Sequence, residues 1–473
     1  MKCLKCIYII SIALLGTFDL AISQHIKREN IIAIHNANVI PMNEEGILIN
    51  YSIIIRNGII TEIGSSGTIK VPKNAEVIDA KGKYLIPGLS DMHVHLEGQA
   101  WNIIYPREKK FSTDEINYND ILFLYLANGV TLINVMSGFP EHIAIRDSVK
   151  KGNLLGPRIL LSRMIDGADK AWPPPISTWV NNPQEAKLSV IDAYEMGYDR
   201  IKVYSFLSKE SYDTIIATAE KLGMPVDGHI PVSSSVEQVA ESGQRMIAHS
   251  EEMLKFTTDY SPDQIDYFSS LLSKSNIWLT ATLTTSNNMA KLFEKGEVQL
   301  AKPGTEYLHP QMKGIWEYLF ENLYKPVANE RKAVVKDGYE QFQKSFVYDF
   351  YRKGGKLLSG TDALVPTILP GFSIHDELLE LVNVGLTPFE ALRVSTTDAH
   401  RFLGDLEIAG TIEKGKVANL VLLNSNPLKD ISNTRNIYGV FSQETFITAE
   451  EIKKRLFEIN KSYENLIQIK KMN

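Results

Sequence analysis

Neutral imidazole is a common metal ligand, so the histidines raise the first chemical question. His93 and His95 close the apolar run "YLIPGLSDMHVHLEG". In a strand, residues i and i+2 share a face, so both rings point the same way. Two adjacent imidazoles repel if charged and both need partners if neutral; one shared cation satisfies them together. Other short apolar runs end on further candidates: Lys202 in "DRIKVY", His229 in "PVDGHI", His249 in "RMIAHS" and Asp362 in "KLLSGTDA". Of ten histidines, four take such strand-end positions. The pattern points to a metal site.

Cysteine adds nothing to this set. Cys3 and Cys6 both lie in "MKCLKCIYIISIALLGTFDLAISQ", where Lys2 and Lys5 precede an apolar run from Ile7 to Phe18. Ala21 and Ser23 then sit ahead of a cut before Gln24. This pattern predicts a signal peptide over residues 1–23 and an exported chain, periplasmic or secreted. The run is short for a membrane anchor, and no stable membrane insertion is expected after its removal. A chain starting at residue 24 has no cysteine, which excludes disulfides and thiolate ligands and leaves His, Asp, Glu and modified Lys.

The elements that position these residues follow a rhythm. Eight runs read as strands: 89–96, 130–136, 157–162, 199–204, 225–230, 245–250, 277–284 and 356–363. Helical segments such as "SKESYDTIIATAEKLGM" and "SSSVEQVAESGQ" lie between them, with Ser at N-cap positions. Eight strand–helix units predict an α/β fold, a (β/α)8 TIM barrel over 84–403. In a barrel, chemistry gathers at the C-terminal ends of the strands, where all six candidates fall. Residues 24–83 and 404–448 are β-rich, with Asn57-Gly58 as a hairpin turn. They predict a small β-sandwich domain built from both chain ends. Residues 285–355 form an aromatic-rich helical insertion, either a lid over the mouth or a peripheral decoration. Residues 449–473 read as a solvated amphipathic helix. The whole chain has 473 residues, 44% hydrophobic and 22% charged, with a formal net charge of −6. That is ample for a large core, and the absence of a long basic run argues against nucleic acid as a partner.

The H-x-H, the strand Lys, two further strand-end His and the final "SGTD" together resemble the amidohydrolase superfamily. Within it the chain is similar to a secreted binuclear-metal branch of prolidase-like and imidazolonepropionase-related proteins. "VIDAKGKYLIPGLSDMHVHL", "GNLLGPRILLS", "VDGHIPVSSSVEQVAESGQRMIAHSEE", "GLTPFEALRVSTTDAHRFLG" and "GTIEKGKVANLVLLNSNPL" extend the resemblance over roughly residues 31 to 430. It implies two divalent metal ions, with Zn2+ favoured and Mn2+ or Co2+ also suited. His93, His95 and Asp362 would hold one, and His229 and His249 the other. Lys202, carboxylated by carbon dioxide, would bridge them as a carbamate. A metal-bridging hydroxide would attack the carbonyl, with Asp362 as general base and then acid.

Tyr204 shares the inward face of Lys202 and is the candidate hydrogen-bond donor to the oxyanion; the alternative is a rim aromatic with its hydroxyl in water. Substrate contacts are expected from His375 after the eighth strand, His142 and Arg146 after the second, and Trp172 or Trp179 in "AWPPPISTW" after the third. His25, His35, His309 and His400 read as structural or surface. The expected reaction is hydrolysis of an amide-type C–N bond in a small molecule: a dipeptide, an N-acyl amino acid or a cyclic amide. Lactonase or esterase chemistry would use the same site. A mononuclear deaminase would place Glu where this chain has Val232. A non-catalytic scaffold would have lost ligands that this chain keeps. A homo-oligomer is compatible with these readings.

Overall fold

The structure is a computed structural model describing residues 29–104, 112, 115–168, 171–257 and 259–472. The expected signal peptide and His25 lie outside the described residues. Among the described residues, no helix is long and apolar enough to cross a membrane.

Alternating and β-branched runs form β1 (Ile31–Val39), β2 (Leu48–Arg56), β3 (Ile59–Ser65), β4 (Glu76–Asp79) and β5 (Tyr84–Pro87). Asn57 and Gly58 turn β2 into β3 with φ of 47° and 76°. Both are positive, as the two-residue hairpin turn requires. β1 pairs antiparallel with β2 and parallel with β4 and β5.

Gly88 then leads into the barrel, where a Cβ would meet Thr131 Oγ1 at 2.1 Å. The barrel strands are β6 (Leu89–Val94), β7 (Val130–Val135), β8 (Arg158–Gly167), β10 (Arg200–Val203) and β11 (Val226–Gly228), with short β9 (Thr178–Val180) beside β8. β12 (Met246–Ala248), β13 (Trp278–Thr280) and β14 (Lys356–Leu358) complete them. They pair in parallel in the order β6-β7-β8-β10-β11-β12-β13-β14. β6 and the segment after β14 draw the ends together: Met92 N–H donates to Ser359 O (2.9 Å), and Val94 bridges Ala363. Each expected strand run contributes one of these strands, consistent with a (β/α)8 barrel.

Helices α1 (Tyr118–Ala127), α2 (Pro140–Lys150), α3 (Pro183–Met196), α4 (Lys209–Leu222), α5 (Val236–Glu241) and α6 (Pro262–Ser273) connect the strands. Ser208 and Ser235 cap α4 and α5, accepting from the N–H groups of Ser211 and Gln238. The insertion carries α7 (Leu283–Lys295), α8 (Pro310–Leu319), α9 (Asn329–Asp337) and α10 (Lys344–Arg352), with π turns at Phe320–Tyr324 and Gly338–Gln343. The seventh run shortens because its last residues, Leu283 and Thr284, begin α7. Their N–H groups donate to the Glu377 carboxylate of α11 (Ile374–Asn383), at 3.2 and 2.7 Å.

α12 (Pro388–Val394) and α13 (Thr397–Leu403) follow, then β15 (Leu420–Leu423), β16 (Ile437–Ser442), β17 (Thr445–Thr448) and α14 (Ala449–Met472). β15 pairs antiparallel with β5, Val421 opposite Ile86. The chain ends thus build a mixed eight-stranded sheet, β17-β16-β15-β5-β1-β2-β3 with β4 on β1. Tyr84–Pro87, read from sequence as the start of the barrel, pairs in this sheet. α14 buries Ile452, Ile459 and Tyr463 in the main core, and its Arg455 pairs with the buried Asp120 of α1.

Candidate active site

On β10 the side chains alternate: Ile201 and Val203 join the core around the barrel, which turns Lys202 inward. His93 and His95 reach the same interior from the end of β6. His229 and His249 follow β11 and β12 directly, and Asp362 stands four residues beyond β14. His249 and Asp362 hold φ of 76° and 58°. Such non-glycine conformations cost about 1–3 kcal/mol and persist only when the surroundings enforce them. Here the strand-end turns aim both side chains at the barrel axis.

All six candidates meet through direct contacts. One ligand atom each from His93, His249 and Asp362 lie within 4.8 Å of one another. His93 Nε2 and His95 Nε2 stand 3.3 and 3.2 Å from the same Asp362 Oδ1. Lys202 Nζ is 3.4 Å from His93 Nε2. The His93 and His249 rings lie 4.4 Å apart, and those of His249 and His229 lie 5.0 Å apart.

Several groups fix these rings from behind. His249 Nδ1 meets Thr282 Oγ1 at 2.9 Å. His229 Nδ1 meets Ser205 Oγ at 3.1 Å and Glu252 Oε1 at 3.0 Å, which leaves its buried Nε2 without a hydrogen-bond partner. Glu252 also accepts from Ile230 N–H (2.6 Å) and Lys255 Nζ (2.7 Å). Asp91, two residues before His93, accepts from Thr361 N–H (2.9 Å) and Thr361 Oγ (2.7 Å), and so holds the "SGTD" segment against β6. Asp91, Glu252, Ser205 and Thr282 escaped the sequence reading; the "HSEE" that follows β12 was the visible trace of one.

Burial shifts the ionisation of every group. It pushes His93 down to about 4, and takes His95 below and His229 and His249 well below the usual imidazole range. All four rings are therefore neutral. Burial also lowers Lys202 to about 8. Burial opposes a charge on Asp362, but the rings of His93 and His95 outweigh it and hold the carboxyl well below the usual range.

A cation fits this donor set. A single Nε2 of His93 faces both an ammonium and a carboxylate oxygen, and cannot serve as acceptor and donor at once. His229 Nε2 is buried and unpartnered while its Nδ1 is tied down, the arrangement typical of a ligating imidazole.

The cavity above holds about 220 Å³. His95, Lys202, His229, His249 and Asp362 form its floor, and Trp101, Met164, Trp172, Ile176 and Leu364 stand in its walls. The insertion supplies Thr285, Met289, Met312, Ile315 and Tyr324. Tyr204 lines the cavity with its ring 4.0 Å from that of His229. A larger depression of about 760 Å³ on the insertion, near Lys302 and Glu317, includes none of the candidates.

Three expected substrate contacts are corrected. His142 is buried in α2, where Nδ1 accepts from Phe139 N–H (3.1 Å) and Nε2 meets Glu97 O (2.7 Å). Arg146 reaches from α2 to Asp199 (2.9 Å) and Gly197 O, just past the end of α3. His375 is buried on α11 with Nδ1 3.0 Å from Thr434 Oγ1. None lines the cavity. Trp172 does, whereas Trp179 stands outside and donates to Trp172 O. Among the other histidines, His35 meets Ser52, His309 caps α8 and His400 pairs with Asp405.

A Trichlorobacter lovleyi dihydroorotase is 46% identical over 52 residues; that match covers 11% of this chain and 12% of the relative's length. The imidazolonepropionase of Geobacillus kaustophilus is 23% identical over 456 residues, covering 87% of this chain and 92% of the relative. The solved structure of a Xaa-Pro dipeptidase with methionine bound in its active site is 21% identical. It superposes with a TM-score of 0.69 over 89% of this chain and 100% of that one, which shows the shared fold. The profile described as Amidohydrolase family matches residues 84–446, from β5 to β17. The chain belongs to the amidohydrolase family and is a hydrolase acting on carbon–nitrogen bonds.

Proposed function

We propose that this chain is an exported, metal-dependent hydrolase that cleaves the amide-type C–N bond of a dipeptide, an N-acyl amino acid or a cyclic amide. The convergence of His93, His249 and Asp362 within 4.8 Å is the observation that carries this reading. The dipeptidase and imidazolonepropionase relatives support it. Two divalent ions, zinc or alternatively manganese or cobalt, suit the donors. His93, His95 and Asp362 would hold one, and His229 and His249 the other, with Lys202 carboxylated between them. Only a neutral amine takes up carbon dioxide, and the burial that lowers Lys202 to about 8 favours that form.

When bound, the metals supply Lewis-acid polarisation of the carbonyl and lower the pKa of water. The remaining chemistry falls to the protein. Asp362, ionised throughout the neutral range, accepts a proton on Oδ from the attacking water and delivers it to the departing nitrogen. Burial raises the Tyr204 phenol well above its usual range, so it stays protonated and donates to the oxyanion as charge develops. The apolar walls keep bulk water from the reacting groups, where each of these interactions gains strength.

The test is metal content per chain beside Lys202→Ala, together with turnover on a panel of dipeptides and N-acyl amino acids. About two metals, falling in the variant, with wild-type turnover, is the expected result. One metal or fewer with no effect of the variant would remove the bridge, and saturable binding without product would remove the enzyme.

A further inference from the structure

Two adjacent glutamates follow His249, and they face opposite ways. Glu252 is buried and fully engaged by His229, Ile230 N–H and Lys255. Glu251 lines the cavity and makes no hydrogen bond or ion pair among the described residues. The other charged groups on the described lining, Lys202 and Asp362, belong to the catalytic floor. Glu251 is thus the one lining carboxyl, among the described residues, that the reaction leaves unused; burial and the carboxylates of Glu252 and Asp362 push it up to about 7, and an ammonium beside it would favour its charged form. Around the same space stand Trp172, Tyr204 and Tyr324, whose ring faces attract cations. A carboxyl group sharing one cavity with these aromatic rings and with Met289, Met312 and Ile315 is a receptor for a positive charge carried on an apolar body.

We infer that Glu251 selects substrates bearing a protonated amine, anchoring it on the insertion side of the cavity while the scissile amide reaches the floor. This rests on the hydrolase reading and narrows it to amides with a free ammonium group. Glu251 is a specificity residue and takes no part in the proton transfers. A substrate anion on that side would meet repulsion from Glu251, whereas an ammonium gains a charge-assisted hydrogen bond.

The experiment measures binding rather than turnover, so its outcome is separate from that of the hydrolase assay. Calorimetry compares three matched probes on the purified protein: 4-phenylbutylamine, 4-phenylbutan-1-ol and 4-phenylbutanoate. The amine is expected to bind on the order of 10-fold to 100-fold more tightly than the alcohol, the range of a hydrogen bond to a charged group. The acid should bind most weakly. Glu251→Gln should collapse the amine-to-alcohol ratio, and Glu251→Asp, which keeps the charge, should preserve part of it. Equal binding of amine and alcohol, a preference for the acid, no binding of any probe, or an amine preference that survives in Glu251→Gln would each overturn the proposal. The last outcome would place the amine on the floor groups instead. If Glu251→Gln does not fold, Glu251→Ala, which also removes the carboxylate, makes the same comparison.

Discussion

His229 shows what a single residue needs in order to serve. Its ring is held through Nδ1 by Ser205 and Glu252, and Glu252 is held in turn by Lys255 and Ile230 N–H. Glu252→Gln keeps the shape and removes the charge. It should weaken metal binding about 10-fold to 100-fold, the usual effect of losing an outer-shell partner, as measured by competition with a chelator. An unchanged affinity would mean that Ser205 suffices. The ligand candidates were legible because strand ends and i, i+2 spacing are local properties of sequence. Their supports were not, since Glu252 reaches back to His229 from the 3-10 turn after β12 and Asp91 reaches Thr361 across 270 positions. His142 and His375 misled for the opposite reason. Each lies on the helix that follows a barrel strand, yet the rotation of that helix decides whether it meets the cavity, and here both turn into the core.

At the scale of elements, the (β/α)8 rhythm was readable from eight apolar runs, while their ends were not. The eighth run continues past β14 as "SGTDA", which leaves strand geometry so that Asp362 can turn inward. Gly360 allows this approach: a Cβ there would lie 2.3 Å from Thr280 Cγ2 and 2.8 Å from His93 Cβ. Gly360→Ala should cost about 1–3 kcal/mol through overpacking and lower metal content together with the melting temperature. Gly67→Ala, with nothing within 4 Å of the new methyl, is the control and should leave both unchanged.

The insertion is tied to the barrel by Glu377, which takes the first N–H groups of α7 and is pushed up by burial to about 8 from an ordinary 4.5. Between these values the folded chain retains a proton that the unfolded chain releases, so the contribution of this group to stability falls as pH rises through that window. Chemical denaturation from pH 5 to 8 should show this decline, and Glu377→Gln should flatten it. An identical slope in the variant would assign the decline to other groups.

Across the whole molecule, composition indicated a large core and texture indicated that the two chain ends meet. The pairing of β5 with β15 was beyond reach, because register between distant strands is set by packing rather than by local pattern. α14 was readable as amphipathic, but its apolar face could not reveal that it covers the barrel core near α1. Arg455→Ala would strand the buried Asp120 carboxylate. It should destabilise the protein on the order of 1–3 kcal/mol, with the lower end favoured because Arg455 is one-third exposed and screened by solvent. Thermal unfolding would register this as a lower midpoint, and suppressing the charge by acidification should narrow the gap to wild type. The joint between β5 and β15 also bears on how the chain is made. Pro87 emerges early in synthesis and its partner Leu420 emerges late, so the growing polypeptide carries an open edge on β5 for most of translation. Such an edge invites pairing with other chains, and the yield of native protein is then set by how quickly the late strands arrive rather than by the stability of the finished fold.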